Sequence, residues 1–375
     1  MKVNFNQPYL EGDEKDYVMD ATMTGHLSGH GKYTRLCHQW FEKRYKMPRS
    51  LLTTSCSDAL ELAALLLDIR AGDEVIVPSF TFVSTANAFV LRGAKIVFAD
   101  VREDIPILDA DKLEELITAR TRAIVPVHYA GVACEMEKIM ALAKRHDLFV
   151  VEDAAHAIES SYGNKQLGTI GTLGAFSFHE TKNVICGEGG MISINDKRFG
   201  KRAEILWEKG TDRAAFHRGE VKKYQWVDVG SSFLPSDLIA ALLYGQLLKV
   251  DKIQKMRLNI WQQYFERLKA LQEAGKIQLP IIPGWATNNG HMFYLVTSSP
   301  SERDRLLKYL NKKGVMAVIH YLQLHSSKYF TDKHDGRELP NTDRFSDCLI
   351  RLPFFNRLTE EQMEYVVKQV YRFYH

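Results

Sequence analysis

Short apolar runs alternate with segments of helical spacing through the first half of the chain. The apolar runs predict buried strands, and the amphipathic segments between them predict helices. The strands fall at residues 74–77, 94–100, 122–128, 148–153 and 175–178. The helices fall at residues 11–23, 34–46, 60–69, 84–92, 111–117 and 136–146. Near-continuous apolar strands alternating with helices indicate an α/β fold with a mostly parallel sheet covered on both faces.

The second half of the chain has a different pattern. One long helical pattern begins at Pro235-Ser236-Asp237 and runs to residue 273, as in helices that bridge two lobes. An α+β pattern follows, with strands at 291–297 and 315–321 and helices at 301–313 and 359–374. A chain of 375 residues exceeds one ordinary core. We therefore predict a large domain over residues 1–245 and a smaller one over residues 246–375.

Composition narrows the functional class. Hydrophobic residues make up 45% and charged residues 25% of the chain, as in soluble globular proteins. The net charge is +3, no basic run suits a nucleic acid, and no apolar stretch has membrane-spanning length. The 5 cysteines are odd in number and scattered, which argues against a disulfide framework or structural zinc. We expect a cytoplasmic protein with no metal, nucleic-acid or membrane partner.

The strongest indication of chemistry is a lysine and an aspartate that each lie at or just after the end of a predicted strand. Lys182 follows the strand at 175–178 and precedes the glycine-rich turn 187–190, while Asp153 ends the strand at 148–153. Ligands of parallel sheets bind at these carboxyl ends. Pyridoxal phosphate needs a lysine for its aldehyde and an acid for its pyridine nitrogen. A lone lysine usually lies on the surface, so it is the pairing with Asp153 that predicts the cofactor.

Two further segments are candidates for binding. Thr54, Ser55 and Ser57 lie where a helix begins, and its free N–H groups and dipole suit a phosphate. An ordinary N-cap is the alternative reading. The loop at 24–31, with three glycines and the histidines His26 and His30, is either a functional loop or a plain connector.

Five motifs in order carry a family resemblance. They are S-D-A-L at 57–60, P-S-F-T-F at 78–82, E-D-A-A-H at 152–156, S-F-H-E-T-K at 177–182 and G-E-G-G at 187–190. With these motifs the chain resembles, over essentially its whole length, the DegT/DnrJ/EryC1/StrS sugar aminotransferases. The resemblance implies a fold-type I enzyme that uses pyridoxal 5′-phosphate.

The resemblance also implies roles for individual residues. Lys182 would hold the cofactor and act as base and acid of the proton shift, with Asp153 on the pyridine nitrogen. His156 would contact the phenolic oxygen, or else be a packed structural histidine. Phe82 would stack on the ring, while Phe80 fills the core. The expected phosphate contacts are Ser55, Cys56 and Ser177, with Cys56 as a small buried filler in the alternative reading.

Longer segments are similar to one branch of that family. They cover residues 78–95, 125–136 and 177–183. The branch is that of dTDP-4-amino-4,6-dideoxygalactose transaminases of enterobacterial common antigen synthesis. The similarity implies amination of dTDP-4-keto-6-deoxyglucose at carbon 4, with L-glutamate as donor. Expected substrate contacts are His26, Glu180, Thr181, Lys209, His320, Tyr321 and His325. A packed role for the last three, and a solvated loop for the cluster Lys209, Arg213 and Arg218, are the alternatives.

The same resemblance implies a homodimer with shared active sites. In the family, an asparagine of a Gly-Tyr-Asn-Tyr-Arg segment reaches the phosphate in the partner subunit. Here the segment reads Gly230-Ser231-Ser232-Phe233-Leu234, so this role falls to Ser232.

Other functions remain in competition at this point. A sugar dehydratase of the same fold would have a histidine in place of Lys182. A regulatory homologue without catalysis is disfavoured by the presence of both Lys182 and Asp153. The sequence leaves open which carbon-4 epimer is made, the galacto or the gluco product.

Overall fold

The predicted sheet forms the centre of the computed structural model, which describes residues 1–375. The strands are β1 (Arg49–Thr53), β2 (Glu74–Pro78), β3 (Lys95–Ala99), β4 (Thr121–Ile124), β5 (Phe149–Asp153), β6 (Ser161–Tyr162), β7 (Lys165–Gln166), β8 (Leu173–Ser177), β9 (Gly190–Ile194), β10 (Tyr294–Val296), β11 (Val318–Ile319) and β12 (Leu349–Arg351). The helices are α1 (Glu14–Met23), α2 (Lys32–Tyr45), α3 (Cys56–Leu66), α4 (Val83–Val90), α5 (Met136–Arg145), α6 (Gly200–Trp207), α7 (Arg213–His217), α8 (Asp237–Leu247), α9 (Val250–Glu273), α10 (Pro300–Lys312), α11 (Pro340–Cys348) and α12 (Glu360–Tyr374).

Seven strands form the main sheet in the order β1-β9-β8-β5-β4-β2-β3. The pairs β2–β3, β2–β4, β4–β5 and β5–β8 are parallel, and only β9 runs antiparallel to its neighbours β1 and β8. The prediction of a mostly parallel α/β sheet is therefore confirmed. Because β5 and β8 are adjacent and parallel, the ends that carry Asp153 and Ser177 lie at the same edge.

Both faces of this sheet are covered, as the apolar strands predicted. Successive strand residues point to opposite sides: Leu51 packs in one hydrophobic cluster with α3, and Leu52 in another with α2 and α8. On β8 the same alternation places Ala175 in the α3 cluster and Phe176 in the α2 cluster. This packing fixes the strand ends from both sides.

Two predicted helices are wrong in detail. Residues 111–117 form two 3-10 turns, Ala110–Lys112 and Glu114–Leu116. Leu113 and Leu116 are both buried, and their three-residue spacing lies on one face of a 3-10 turn. The pattern at 236–273 is two helices, since the chain leaves helical geometry at Lys249 between α8 and α9. The Lys249 ammonium there pairs with Glu14 at 3.0 Å.

A three-stranded sheet in the order β10-β12-β11 occupies the C-terminal part. Helices α9, α10 and α12 cover it in a separate hydrophobic cluster, which also contains Val3 from the N-terminus. The division of the chain at residues 245 and 246 stays a prediction. No helix combines the length and apolar character that crossing a membrane requires.

Candidate active site

A cavity of about 590 Å³ lies at the carboxyl ends of β5 and β8. Its walls also include the start of α3, the start of α4, the loop after β11 and the end of β12. Ten of the residues predicted from the sequence line it: Ser55, Cys56, Phe82, Asp153, His156, Ser177, Thr181, Lys182, His320 and Tyr321. The sheet topology therefore unites side chains that are far apart in the sequence.

Lys182 lies in a tight turn after β8. Its backbone N–H donates to His179 O at 2.9 Å, and Phe178 N donates to Gly189 O at 2.8 Å across the base of the turn. Burial of the amine lowers the pKa of Lys182 from 10.5 to about 8, against the opposing effects of Cys56 and Asp153. No protein group forms a hydrogen bond with this amine. The lowered pKa therefore increases the fraction of unprotonated, nucleophilic amine near neutral pH.

The carboxylate of Asp153 is fixed by two donors. Thr85 Oγ1 donates to Oδ2 at 2.7 Å, and the backbone N–H of Ala155 donates to Oδ1 at 3.1 Å. Thr85 is held in turn by Thr81, with the two hydroxyl oxygens 2.8 Å apart. Asp153 is 5% exposed, so its carboxylate faces the cavity with a set orientation.

Hydrogen bonds define the tautomer of His156. The backbone N–H of Ala130 donates to Nδ1 at 3.3 Å, so in the neutral ring the proton lies on Nε2. That nitrogen lies 3.3 Å from the hydroxyl of Tyr321. Burial, with Lys182 and Arg351 adding to it, holds the pKa of His156 well below 6.5. His156 is therefore a neutral donor towards the cavity.

His291 packs against this ring. The two imidazoles stack with centroids 4.2 Å apart. His291 Nδ1 lies 2.8 Å from Asn183 Oδ1, while the Asn183 amide donates to Gln254 and to the carbonyl of Asn289. Asn183 Oδ1 therefore accepts a hydrogen bond from His291 Nδ1–H and fixes the orientation of that ring.

The start of α3 provides an anion cradle. Ser55 is its N-cap, and the N–H groups of Cys56 and Ser57 have no partner within the helix. Gly190 on β9 packs directly against this turn, where a Cβ atom would lie only 2.4 Å from Ser55 C. Burial raises the pKa of the Cys56 thiol well above 9.0, which keeps the cradle free of an added negative charge. A phosphate at this helix start and an aldehyde at Lys182 both fit these residues.

Phe80 and Phe82 lie in different environments, and the prediction that Phe80 fills the core is confirmed. That side chain is buried and packs edge-on against Tyr129, with centroids 5.2 Å apart. Phe82 is 56% exposed and lines the cavity at the N-cap of α4. Tyr129 also contacts His320, its hydroxyl lying 3.1 Å from Nδ1.

Five of the predicted site residues do not line the cavity of their own chain: His26, Glu180, Lys209, Ser232 and His325. The first four have exposed side chains. His325 lies behind the cavity wall, where its Nδ1 is 2.8 Å from Ser79 Oγ and its Nε2 is 3.4 Å from Asp343.

The rest of the predicted basic cluster is already paired. Arg213 contacts Glu208 at 3.3 Å, and Arg218 contacts Glu204 at 2.8 Å.

Sequence reasoning missed several residues of the cavity wall. Thr85 lies one helical turn after Thr81, a spacing that could have been noticed beside the P-S-F-T-F motif. Glu188 belongs to the G-E-G-G motif but was given no role, whereas His291 and Arg351 lie in no motif, because the fold brings them to the site from the C-terminal part.

Comparison with known proteins agrees with this geometry. The profile of the DegT/DnrJ/EryC1/StrS aminotransferase family matches residues 8–371. The aminotransferase TlmJ from Streptoalloteichus hindustanus superimposes with a TM-score of 0.92 at 27% identity, covering 100% of this chain and 99% of that one. DesV from S. venezuelae gives 0.90 at 28% identity, covering 99% and 98%.

A third similar structure is described as the PLP form of its protein. It is Spr1654 from Streptococcus pneumoniae in its PLP form, with a TM-score of 0.90 at 25% identity and coverage of 100% and 98%. Together with the cavity, these matches show a pyridoxal-phosphate enzyme of fold type I. The chain belongs to the DegT/DnrJ/EryC1/StrS family of sugar aminotransferases.

Proposed function

We propose that the protein transfers the amino group of L-glutamate to carbon 4 of dTDP-4-keto-6-deoxyglucose, giving dTDP-4-amino-4,6-dideoxygalactose. One observation carries the transamination: the unpaired amine of Lys182 shares a cavity with the fixed carboxylate of Asp153. The choice of sugar rests on the branch-like segments at 78–95, 125–136 and 177–183. The product would serve a surface polysaccharide such as enterobacterial common antigen, O-antigen or lipopolysaccharide.

Bound in this cavity, pyridoxal phosphate would supply an aldehyde and an electron-withdrawing ring through which nitrogen passes from donor to acceptor. The chain's own groups do the rest. Lys182 Nζ would hold the cofactor and, once released, would carry a proton to and from the amino-bearing carbon. Its lowered pKa of about 8 suits both roles, because the amine accepts and returns a proton near working pH.

Asp153 would hold the proton on the pyridine nitrogen. Both of its oxygens already accept hydrogen bonds from neutral donors, which fix the orientation of the carboxylate. His156 would donate its Nε2 proton to the phenolic oxygen, and Phe82 would cover one ring face. Ser55, Cys56 and Ser177 would bind the phosphate, with the dipole of α3 favouring the negative charge.

The sugar would enter past Thr181, His320 and Tyr321 at the cavity wall. The gluco epimer is the alternative product, because it differs only in the face of carbon 4 that meets the cofactor. A dehydratase or a non-catalytic homologue is less well supported, because Lys182 and Asp153 are both present.

We also propose a homodimer that shares its active sites. Ser232, Lys209 and His26 would then act on the partner subunit's cavity. Apolar side chains just before Ser232 are exposed, Trp226 by 82%, as expected of a surface that a second copy covers. All five cysteines are free, which supports a cytoplasmic enzyme.

Mixed dimers test site sharing. One chain carries Lys182→Ala and the other carries Ser231→Glu with Ser232→Glu. In a closed two-fold dimer with shared sites, one site carries both lesions and the other carries neither. About half of the wild-type activity should then return. Inactive heterodimers of verified mass, or a monomer in light scattering, would contradict the shared site.

Product analysis tests the reaction itself. The enzyme is incubated with dTDP-4-keto-6-deoxyglucose and L-glutamate, and the product is examined by NMR. The galacto product has a small H3–H4 coupling because H4 is equatorial, whereas the gluco product has a large one. Absence of any aminated sugar would refute the proposal, and a large coupling would select the alternative epimer.

A further inference from the structure

A histidine close to Lys182 has no role in the account so far. His179 lies two residues after β8, in the same tight turn as Lys182, and it lines the cavity together with Thr181. The backbone N–H of Thr181 donates to His179 Nδ1 at 3.2 Å, so this nitrogen carries no proton and acts as an acceptor. In the neutral ring the proton therefore lies on Nε2, which is 3.5 Å from a carboxylate oxygen of Glu188.

This tautomer of His179 fixes the hydroxyl group of Thr181. Thr181 Oγ1 lies 2.9 Å from His179 Nδ1, and because that nitrogen only accepts, the hydroxyl must donate to it. A free hydroxyl rotates and can donate or accept, whereas this one presents only its oxygen lone pairs to the cavity. The group that meets Thr181 Oγ1 in the cavity must therefore be a hydrogen-bond donor.

The proposed reactants contain few donors that remain free. The pyridine N–H of the cofactor would be taken by Asp153, its phenolic oxygen would accept from His156, and its phosphate offers only acceptors. L-Glutamate has only carboxylates besides the amine that is exchanged. The sugar nucleotide has hydroxyl groups, and those of its nucleoside lie beyond the diphosphate, across the hexose ring from carbon 4. A hydroxyl of the hexose is therefore the donor that remains.

The reacting carbon decides between the hydroxyl groups of the hexose. Nitrogen is exchanged at carbon 4, which must lie beside Lys182, and Thr181 directly precedes this lysine. Carbon 4 has two neighbours in the ring: carbon 3 bears a hydroxyl, and carbon 5 bears the methyl group. The hydroxyl at carbon 2 lies one carbon further away. The hydroxyl at carbon 3 is therefore the donor closest to the reacting atoms.

We propose that Thr181 accepts a hydrogen bond from the carbon-3 hydroxyl of the sugar, and that His179 is the positioning residue that fixes the Thr181 hydroxyl for this contact. The pair then selects keto sugars with a hydroxyl at carbon 3 over 3-deoxy sugars, which would leave Thr181 Oγ1 unpaired. This inference rests on the proposed function, and it names the sugar group that the site recognises.

Four variants test the contact, each loaded with cofactor. Thr181→Val removes the hydroxyl at the same size, and Thr181→Ser keeps it. His179→Leu removes the acceptor, and His179→Asn keeps one at the reach of Nδ1. Thr22→Val, at an exposed position of α1, is the matched control.

Two measurements compare these variants. Stopped-flow absorbance follows the half-reaction with dTDP-4-amino-4,6-dideoxygalactose, with its 3-deoxy and 2-deoxy counterparts, and with L-glutamate. Calorimetry measures the binding of dTDP-6-deoxygalactose and its 3-deoxy counterpart, which have no amine and do not react.

We expect wild type to favour the 3-hydroxyl sugar over the 3-deoxy sugar by about tenfold or more, in reaction and in binding. Thr181→Val should reduce this preference below about threefold, and Thr181→Ser and His179→Asn should retain it. His179→Leu should give an intermediate preference, because the freed hydroxyl accepts in only some of its rotamers. The glutamate half-reaction should change by less than about threefold throughout.

Other outcomes would overturn the proposal. An equal preference in wild type and Thr181→Val would remove the contact, and a preference that depends on the 2-deoxy sugar instead would place Thr181 at carbon 2. A full preference in His179→Leu would remove the positioning role. Equal losses with glutamate and sugar would mean that Thr181 supports the Lys182 turn. In all of these cases the proposed function stands, whereas it falls, and the inference with it, if wild type does not react with the 3-hydroxyl sugar.

Discussion

Thr85 Oγ1 donates a 2.7 Å hydrogen bond to Asp153 Oδ2 from the first turn of α4. This bond ties the end of β5 to a helix that begins beside Phe82. With the Ala155 N–H on the other oxygen, it holds the carboxylate as an acceptor that faces the cavity. The proposed partner of the pyridine nitrogen is therefore oriented before any ligand arrives.

Asp153→Asn should retain the cofactor but react far more slowly. A neutral amide cannot keep the pyridine nitrogen protonated, so the ring loses its capacity to withdraw electrons. Single-turnover kinetics with glutamate measures the effect, with Asp16→Asn on the exposed side of α1 as control. A loss below about tenfold, or ~1.4 kcal/mol, would contradict the pairing.

Cofactor capture by the apoprotein should depend on pH through Lys182. Only the unprotonated amine attacks the aldehyde, and burial lowers its pKa from 10.5 to about 8. The capture rate should therefore rise about tenfold per pH unit below that value and level off above it. Stopped-flow absorbance between pH 6.5 and 9.5 gives the profile. A rate that still rises steeply at the upper limit would show an unperturbed lysine.

Gly190→Ala should weaken cofactor binding by about tenfold or more. A Cβ atom at this position would lie 2.4 Å from Ser55 C and 2.5 Å from Cys56 N, so β9 or the start of α3 must move. Gly200→Ala is the matched control, because a Cβ atom there meets nothing within 4 Å. Equilibrium dialysis of the cofactor compares the two variants. Equal affinities would show that the α3 turn does not bind the phosphate.

Glu152→Gln should destabilise the fold by about 3–5 kcal/mol, as expected when a buried ionic partner is removed. The Glu152 carboxylate faces away from the cavity and accepts from Gly168 N, Ile170 N and Gly171 N, with His128 Nε2 3.0 Å away. The amide N–H₂ group of a glutamine would face these N–H donors, so at least one hydrogen bond to the backbone would be lost. Urea denaturation measures the change, with Glu137→Gln at an exposed position as control. A change below about 1 kcal/mol would indicate that the donors find other partners.

The sequence was a good guide wherever a motif ends a buried strand. Asp153 and Lys182 follow apolar runs whose strands are adjacent in the sheet, so their approach follows from the parallel topology alone. The start of α3 was readable for a similar reason, because a serine before an apolar helix signals an N-cap. Local signals were sufficient for the centre of the site.

Residues that arrive from the C-terminal part were not predictable in this way. Arg351 ends a three-residue strand that was too short to predict, and His291 opens the predicted strand 291–297, whose pattern gives no sign of chemistry. Strand β9 was also not predicted; it follows the glycine-rich turn at 187–190 directly and runs antiparallel to β8. The break between α8 and α9 left the helical periodicity intact, since both helices keep an apolar face.

The most direct test of the account follows the nitrogen atom itself. Wild type and Lys182→Ala, both loaded with cofactor, are incubated with ¹⁵N-labelled L-glutamate and dTDP-4-keto-6-deoxyglucose, and the sugar nucleotide is analysed by NMR. The account predicts ¹⁵N on carbon 4 of the sugar with wild type, and none with a folded Lys182→Ala variant. An unlabelled or unaminated sugar with wild type, or full labelling with Lys182→Ala, would contradict it.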